Sequence, residues 1–218
     1  EYEKIIYEPN ASFAHRVIRQ KYFPRPLHIH PEIEIMLVTA GHGKRFVGGT
    51  VDEFYPGDLV MIGDYVPHFH LSDPTYYEPN DRYCEVHVIQ FKRDIFPQNM
   101  QEIDDYANIS DLLNKSRYVI KFVNPPSVES ISRIMSTVDR LSGIKRINTL
   151  SRLLDILGRI REYRILSDFD SDTFEMETDK VKDSLVGQVY DYLMRHFKDH
   201  ISLPEIAAVL ARRDDITY

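Results

Sequence analysis

Four residues in the stretch "LHIHPEIEIMLVTAGHG" (Leu27 to Gly43), namely His28, His30, Glu32 and Glu34, occupy alternate positions. In an extended strand alternate side chains share a face. A further histidine, His68, sits in "VPHFH". Three neutral imidazoles and a carboxylate make a ligand set for a divalent first-row metal with positions left open, so His28, His30, Glu34 and His68 are candidate metal ligands. The plainer alternative is that a His-x-His pair near a turn is polar sheet surface. Catalysis at such a metal needs acids, bases or anion-binding groups beside it. The nearby groups are Arg16, Glu32, His70 and His87, and nothing marks one as a general base. A site without visible reaction chemistry reads as a binding site, and the chain as a non-enzyme.

The elements that must carry these residues change character along the chain. Up to about residue 95, short apolar or alternating runs ("HIHPEIEIMLV", "LVMIGDYVPHFHL", "YCEVHVIQF") are separated by Gly, Pro, Asn and Asp. That pattern predicts an all-β sandwich or barrel. After "FKRDIFP" the period becomes helical: Val128, Ile131, Ile134, Met135, Val138 and Leu141, then Ile147, Leu150, Leu153, Leu154, Leu157 and Ile160. These are two amphipathic helices joined by a short turn. Their apolar stripe must lie on the sheet or on the same stripe of a second copy. The arginines of the polar face (Arg133, Arg140, Arg146, Arg152, Arg159, Arg161, Arg164) read as solvated.

Ser167 to Lys180 holds six acidic residues and no sustained period, and reads as a linker. A third helix carries Val186, Val189, Tyr190, Leu193 and Phe197. A fourth opens on Ser202 with Pro204 in its first turn and Glu205 three residues on, a capping box. Helix, capped helix and polar turn make the outline of a helix-turn-helix.

Composition narrows the classes. With 43% hydrophobic and 28% charged residues in 218, the chain has what a folded core requires. A single cysteine, Cys84, excludes an intrachain disulfide and fits a reducing, cytoplasmic setting. No apolar run approaches the roughly 18 to 20 residues of a membrane span, and the N-terminus lacks a signal-peptide layout. A net charge of -7 argues against a surface that coats nucleic acid throughout.

The spacing His28-x-His30, three residues to Glu34 and six to Gly41 resembles the first motif of the cupin superfamily, and the region up to His68 its second. The resemblance, over residues 12–95, implies a double-stranded β-barrel of the jelly-roll type. Taken with the hairpin, the linker and "ISLPEIAAVLA", nearly the whole chain resembles the AraC-type transcriptional regulators. The fold class expected is thus mixed, β then α. It comprises a cupin-like effector-binding barrel (1–96), a helical dimerisation region (97–166), an acidic linker (167–183) and the first part of a helix-turn-helix DNA-binding domain (184–218), which stops where the recognition helix should begin.

By that resemblance the barrel senses a small-molecule effector, a sugar or related polyhydroxyl compound, through His28, His30, Glu34, His68 and Arg16. No cofactor is required, and a divalent metal on His28, His30, Glu34 and His68 is the conditional case. The hairpin pairs two subunits, and Arg212, Arg213, Thr217 and Tyr218 contact double-stranded DNA. The rivals are a metal-dependent cupin enzyme, an isomerase or dioxygenase using the same four residues, and a dimeric scaffold whose barrel binds nothing.

Overall fold

The computed structural model describes residues 2–23, 26–123, 125 and 128–167. The expected linker beyond Ser167 and the helix-turn-helix, with Arg212, Arg213, Thr217 and Tyr218, lie outside them. Nine strands and three α-helices follow in order among the described residues. They are β1 (Phe13–Gln20), β2 (Ile33–Ala40), β3 (Gly43–Val47), β4 (Thr50–Phe54), β5 (Leu59–Ile62), β6 (His68–Ser72), β7 (Cys84–Phe91), α1 (Ala107–Ser116), β8 (Ile120–Phe122), α2 (Val128–Thr137), α3 (Gly143–Gly158) and β9 (Tyr163–Ile165). No described helix is long and apolar enough to cross a membrane.

The strands form two sheets, one of six in the order β1-β7-β2-β5-β8-β9 and one of three in the order β4-β3-β6. They face each other across a core of Met36, Val38, Val60, Ile62, Val86 and Val88 from the larger sheet and Val47 and Phe54 from the smaller. The barrel implied by the resemblance is therefore not closed. An isolated bridge ties His28, in the segment ahead of β2, to His68 of the smaller sheet. Between this bridge and β2 stands Pro31, which carries no N–H for a ladder. For the same reason "HIHPEIEIMLV" is not one strand. It breaks at Pro31, and β2 starts at Ile33.

The larger sheet is covered on both faces. Alternation turns Glu34, Met36 and Val38 of β2 toward the smaller sheet and Ile33, Ile35 and Leu37 toward the helices. This is why β2 is buried from Ile33 through Val38. The helical stripe of Ile131, Met135, Val138, Leu150, Leu153, Leu154 and Leu157 packs on Phe13, Ile33, Ile35, Leu37, Ile89 and Phe91. Each fully buried Leu or Ile of that stripe stabilises the fold by roughly 1.5–3 kcal/mol. Of the two places the stripe could go, it takes the chain's own sheet.

The segment 97–166 also supplies β8, which pairs with β5, and β9, which pairs with β8, so it shares the sheet and core of what precedes it. One residue departs from the solvated face expected of the hairpin arginines. Arg146 is buried, donates to the Phe13 carbonyl at 3.1 Å and lies over the Phe13 ring. At its far end the fold is tied down by Ser167, whose Oγ donates to the carbonyl of Gly48 at 2.8 Å and whose N–H donates to Tyr118.

Candidate metal centre and adjoining pocket

The bridge sets the site. His28, ahead of β2, and His68, at the start of β6, exchange backbone hydrogen bonds of 3.1 and 3.0 Å, which brings their side chains to one point. His30 enters from the turn before Pro31, and Glu34 from the inward face of β2. A ring nitrogen of each of His28, His30 and His68 lies within 4.8 Å of the other two. Glu34 lies among them, with Oε2 3.3 Å from His30 Nε2 and Oε1 3.7 Å from His68 Nε2. The structure thus brings all four candidate ligands together.

Each imidazole is oriented in the same way, by a carbonyl two residues along the chain. His28 Nδ1 meets Pro26 O at 2.9 Å, His30 Nδ1 meets Glu32 O at 3.0 Å, and His68 Nδ1 meets Val66 O at 2.8 Å. A carbonyl only accepts, so each Nδ1 carries the proton and each Nε2 presents a lone pair. This fixing of the tautomer through the other ring nitrogen is how metal-ligating histidines are held. Gln90, directly opposite Glu34 on β7, donates its amide to Glu34 Oε2 at 2.8 Å and sets the carboxylate plane.

The electrostatics follow from burial. Desolvation and the neighbouring His68 push His28 down to about 3, so it is neutral at neutral pH. Burial also works against a charge on His30, but the hydrogen bond and charge of Glu34, with Glu32 and Glu3, outweigh it and raise His30. Glu34 is opposed by burial as well, yet the neighbouring His30 and His68 hold it well below the usual carboxylate range. Glu34 Oε1 and His68 Nε2 remain buried without a hydrogen-bond partner. Two lone-pair acceptors left orphaned at 3.7 Å are costly in a buried place, and a cation between them removes the cost. The donor set present therefore fits a divalent first-row ion.

Beside this cluster, between the sheets, is a cavity of about 50 Å³. Its apolar wall includes Ile18, Phe23, Met36, Val86 and Val88, and its polar groups include Arg16, Gln20, His70 and Gln90. Arg16 faces it from β1, one Nη2 donating to the Ile6 carbonyl at 3.2 Å. His70 backs onto Arg45, whose side chain has 0% exposure. Arg45 Nε donates to His70 Nε2 at 3.0 Å, while its two terminal nitrogens reach Asp52 and Asp58. Lys121 Nζ completes the cluster at 2.6 Å from Asp52 and 2.7 Å from Asp58.

Two other residues weighed from the sequence are elsewhere. Glu32 is buried behind His30, with Oε2 3.8 Å from His30 Nδ1, and accepts from the Tyr7 hydroxyl at 3.0 Å rather than lining the cavity. His87 points to the helix side of the sheet, its ring 5.8 Å from that of His15. Sequence reasoning passes over Gln90, Arg45 and Glu3, the last with Oε2 3.3 Å from His28 Nε2. For Gln90 a signal exists, as the polar member of the inward set Val86, Val88, Gln90.

No protein-family model matches the chain, and no curated protein matches it. Among solved structures it is similar to a cupin 2 conserved barrel domain protein from Salinispora arenicola, with 19% identity over 43% of this chain and 76% of that one and a TM-score of 0.31. It is also similar to ToxT from Vibrio cholerae, with 12% identity over 92% of this chain and 71% of that one and a TM-score of 0.44. An unsaturated fatty acid bound form of ToxT gives 14% identity over 94% and 71%, with a TM-score of 0.42. These values are too low to place the chain in a family.

Proposed function

We propose that the chain is the sensing part of a ligand-responsive transcription regulator of the AraC type. In this reading His28, His30, Glu34 and His68 hold a divalent metal beside a pocket for a small molecule. The observation that carries the proposal is the two-faced sheet. The strands β1, β2 and β7 line the pocket with Arg16, Glu34, Met36, Val88 and Gln90, and through the residues between these they form the floor of the helices. A ligand that shifts those strands shifts the helix-bearing face by the same backbone movement.

An effector acts only by its differential affinity for two arrangements. The parts named by the resemblance supply the rest of the device: a dimer through the helical region and DNA contact through the C-terminal part, with Arg212, Arg213, Thr217 and Tyr218. The apolar stripe of the hairpin is spent on the sheet, so dimerisation would use its outer face. A metal, when bound, supplies positive charge and open positions for ligand oxygen or nitrogen. Gln90 keeps Glu34 aimed, and the three backbone carbonyls keep the imidazole lone pairs convergent.

The test has two arms. Elemental analysis of the purified chain should find about one divalent ion per chain, lost in His30→Ala. Selection from a random-sequence duplex library should yield salt-sensitive, sequence-selective binding by the full gene product, altered by a ligand that raises the melting temperature of the chain. A second reading, a metal-dependent isomerase or dioxygenase, is favoured by the open side of the three-histidine cluster. Metal-dependent turnover without selective DNA binding would establish that reading instead.

A further inference from the structure

The polar groups around the cavity are unequal in what they can offer a ligand. Arg45 Nε carries a hydrogen under all conditions in which the protein folds, so His70 Nε2, 3.0 Å away, must accept it. The proton of the neutral ring is then on Nδ1. His70 is a pocket residue, paired with Arg45 across β3 and β6 and sharing the inward face of β6 with His68. Its remaining ring nitrogen is therefore fixed as a donor.

Arg16 is a second donor, and among the described residues its guanidinium meets the Ile6 carbonyl and no carboxylate. Gln90 spends its amide N–H on Glu34. Glu34, the acid lining the cavity, accepts from Gln90 at Oε2 and points Oε1 at His68 Nε2, 3.7 Å away, where the metal position lies. Once the lone pairs of His28, His68 and Glu34 are turned to a metal, the groups left for a ligand are chiefly the donors Arg16 and His70 and the positive charge of the metal itself. A polyhydroxyl ligand presents donors as well as acceptors and is poorly matched to such a lining. The apolar wall of Ile18, Met36, Val86 and Val88 accepts a hydrocarbon body, and about 50 Å³ limits it to a few heavy atoms.

We infer that the pocket selects a small carboxylate with a short apolar body, its oxygens received by His70 Nδ1–H, Arg16 and the metal position. Arg45 acts as the positioning residue that fixes the donor. The inference deepens the proposed function and rests on it for the metal, although the Arg16 and His70 contacts stand without one.

The test is isothermal titration of the chain with butyrate, its neutral isostere butyramide, and xylose, with and without prior loading by Ni²⁺. Butyrate should bind about tenfold or more tightly than butyramide, the scale of a hydrogen bond between charged partners, and more tightly than xylose. His70→Phe and Arg16→Gln should each reduce the preference toward parity. His70→Asn, whose side-chain amide can place a donor where Nδ1 is, should retain it. A butyrate affinity within about twofold of butyramide, or a tighter xylose, overturns the inference while Ni²⁺ uptake leaves the proposed metal site intact. Failure to take up Ni²⁺ removes the metal reading alone, and the comparison on the unloaded chain then decides the carboxylate.

Discussion

At the scale of single residues, the cluster depends on side chains that are not themselves candidate ligands. Gln90 is one: Gln90→Leu keeps the volume but frees the Glu34 carboxylate to turn. Metal affinity should fall about tenfold or more by competition against a chelator, with the melting temperature of the metal-free protein little changed. Arg45 is another, and its loss is of a different kind. Arg45→Met leaves Asp52 and Asp58 short of a buried guanidinium, an imbalance that costs about 3–5 kcal/mol in urea unfolding.

The two residues also differ in how visible they are in the sequence. His28, His30 and Glu34 stand out because their spacing is regular and their chemistry rare in a strand, and His68 because it closes the same set. Arg45 has no such signal. A lone arginine in "GKRFV" reads as solvated until the strand opposite is known to hold His70 and the turn opposite to hold Asp58.

At the scale of elements, the helical hairpin is legible because α2 and α3 each repeat their apolar residues over several turns. By contrast, α1 is hidden: Asn108, Ser110, Asp111, Asn114 and Ser116 are weak helix formers, and only Ile109, Leu112 and Leu113 reach the core. The three-residue strands β8 and β9 are too short to show any period, and the pairing of β8 with β5 and of β9 with β8 is a tertiary fact. The break in "HIHPEIEIMLV" is visible as Pro31, but the alternation on either side of it outweighs the proline when read as a pattern.

The turn after β2 is where glycine is required. Gly41 has φ +97°, and a Cβ there would meet Cys84 Sγ at 2.6 Å and the Cys84 Cα at 3.0 Å. Gly41→Ala should therefore destabilise the fold by about 1–3 kcal/mol, seen as a lower urea midpoint with an unchanged slope.

At the scale of the whole molecule, buried histidines make the metal-free protein sensitive to acid. His28, His70 and His87 are all held neutral, chiefly by burial and also by nearby positive or potentially positive groups. Their folded pKa values lie below the unfolded value of about 6.5, so their stability contribution is full above that pH and is lost as pH falls. His30 has the opposite sign: raised by Glu34, it contributes below about 6.5 and loses that contribution as pH rises through its folded value. Three groups against one give a net loss on acidification. Each group excluded from protonation adds a slope of about 1.4 kcal/mol per pH unit. The urea midpoint measured with a chelator present should be clearly lower at about pH 5.5 than at about pH 7.5.

The last described residue has a mechanical consequence. Ser167 is fastened at once to Tyr118, just ahead of the larger sheet's β8, and to Gly48 in the β3–β4 turn of the smaller. The position of Ser167 is thereby tied to the spacing of the sheets, which is also the width of the pocket. Such an anchorage works as a caliper: a ligand that wedges or draws the sheets moves the jaw at Ser167. Ser167→Ala loosens one side of that jaw. The proposed regulator function then predicts that ligand affinity holds steady while the ligand's effect on DNA affinity shrinks, a separation readable by titrating the two in turn.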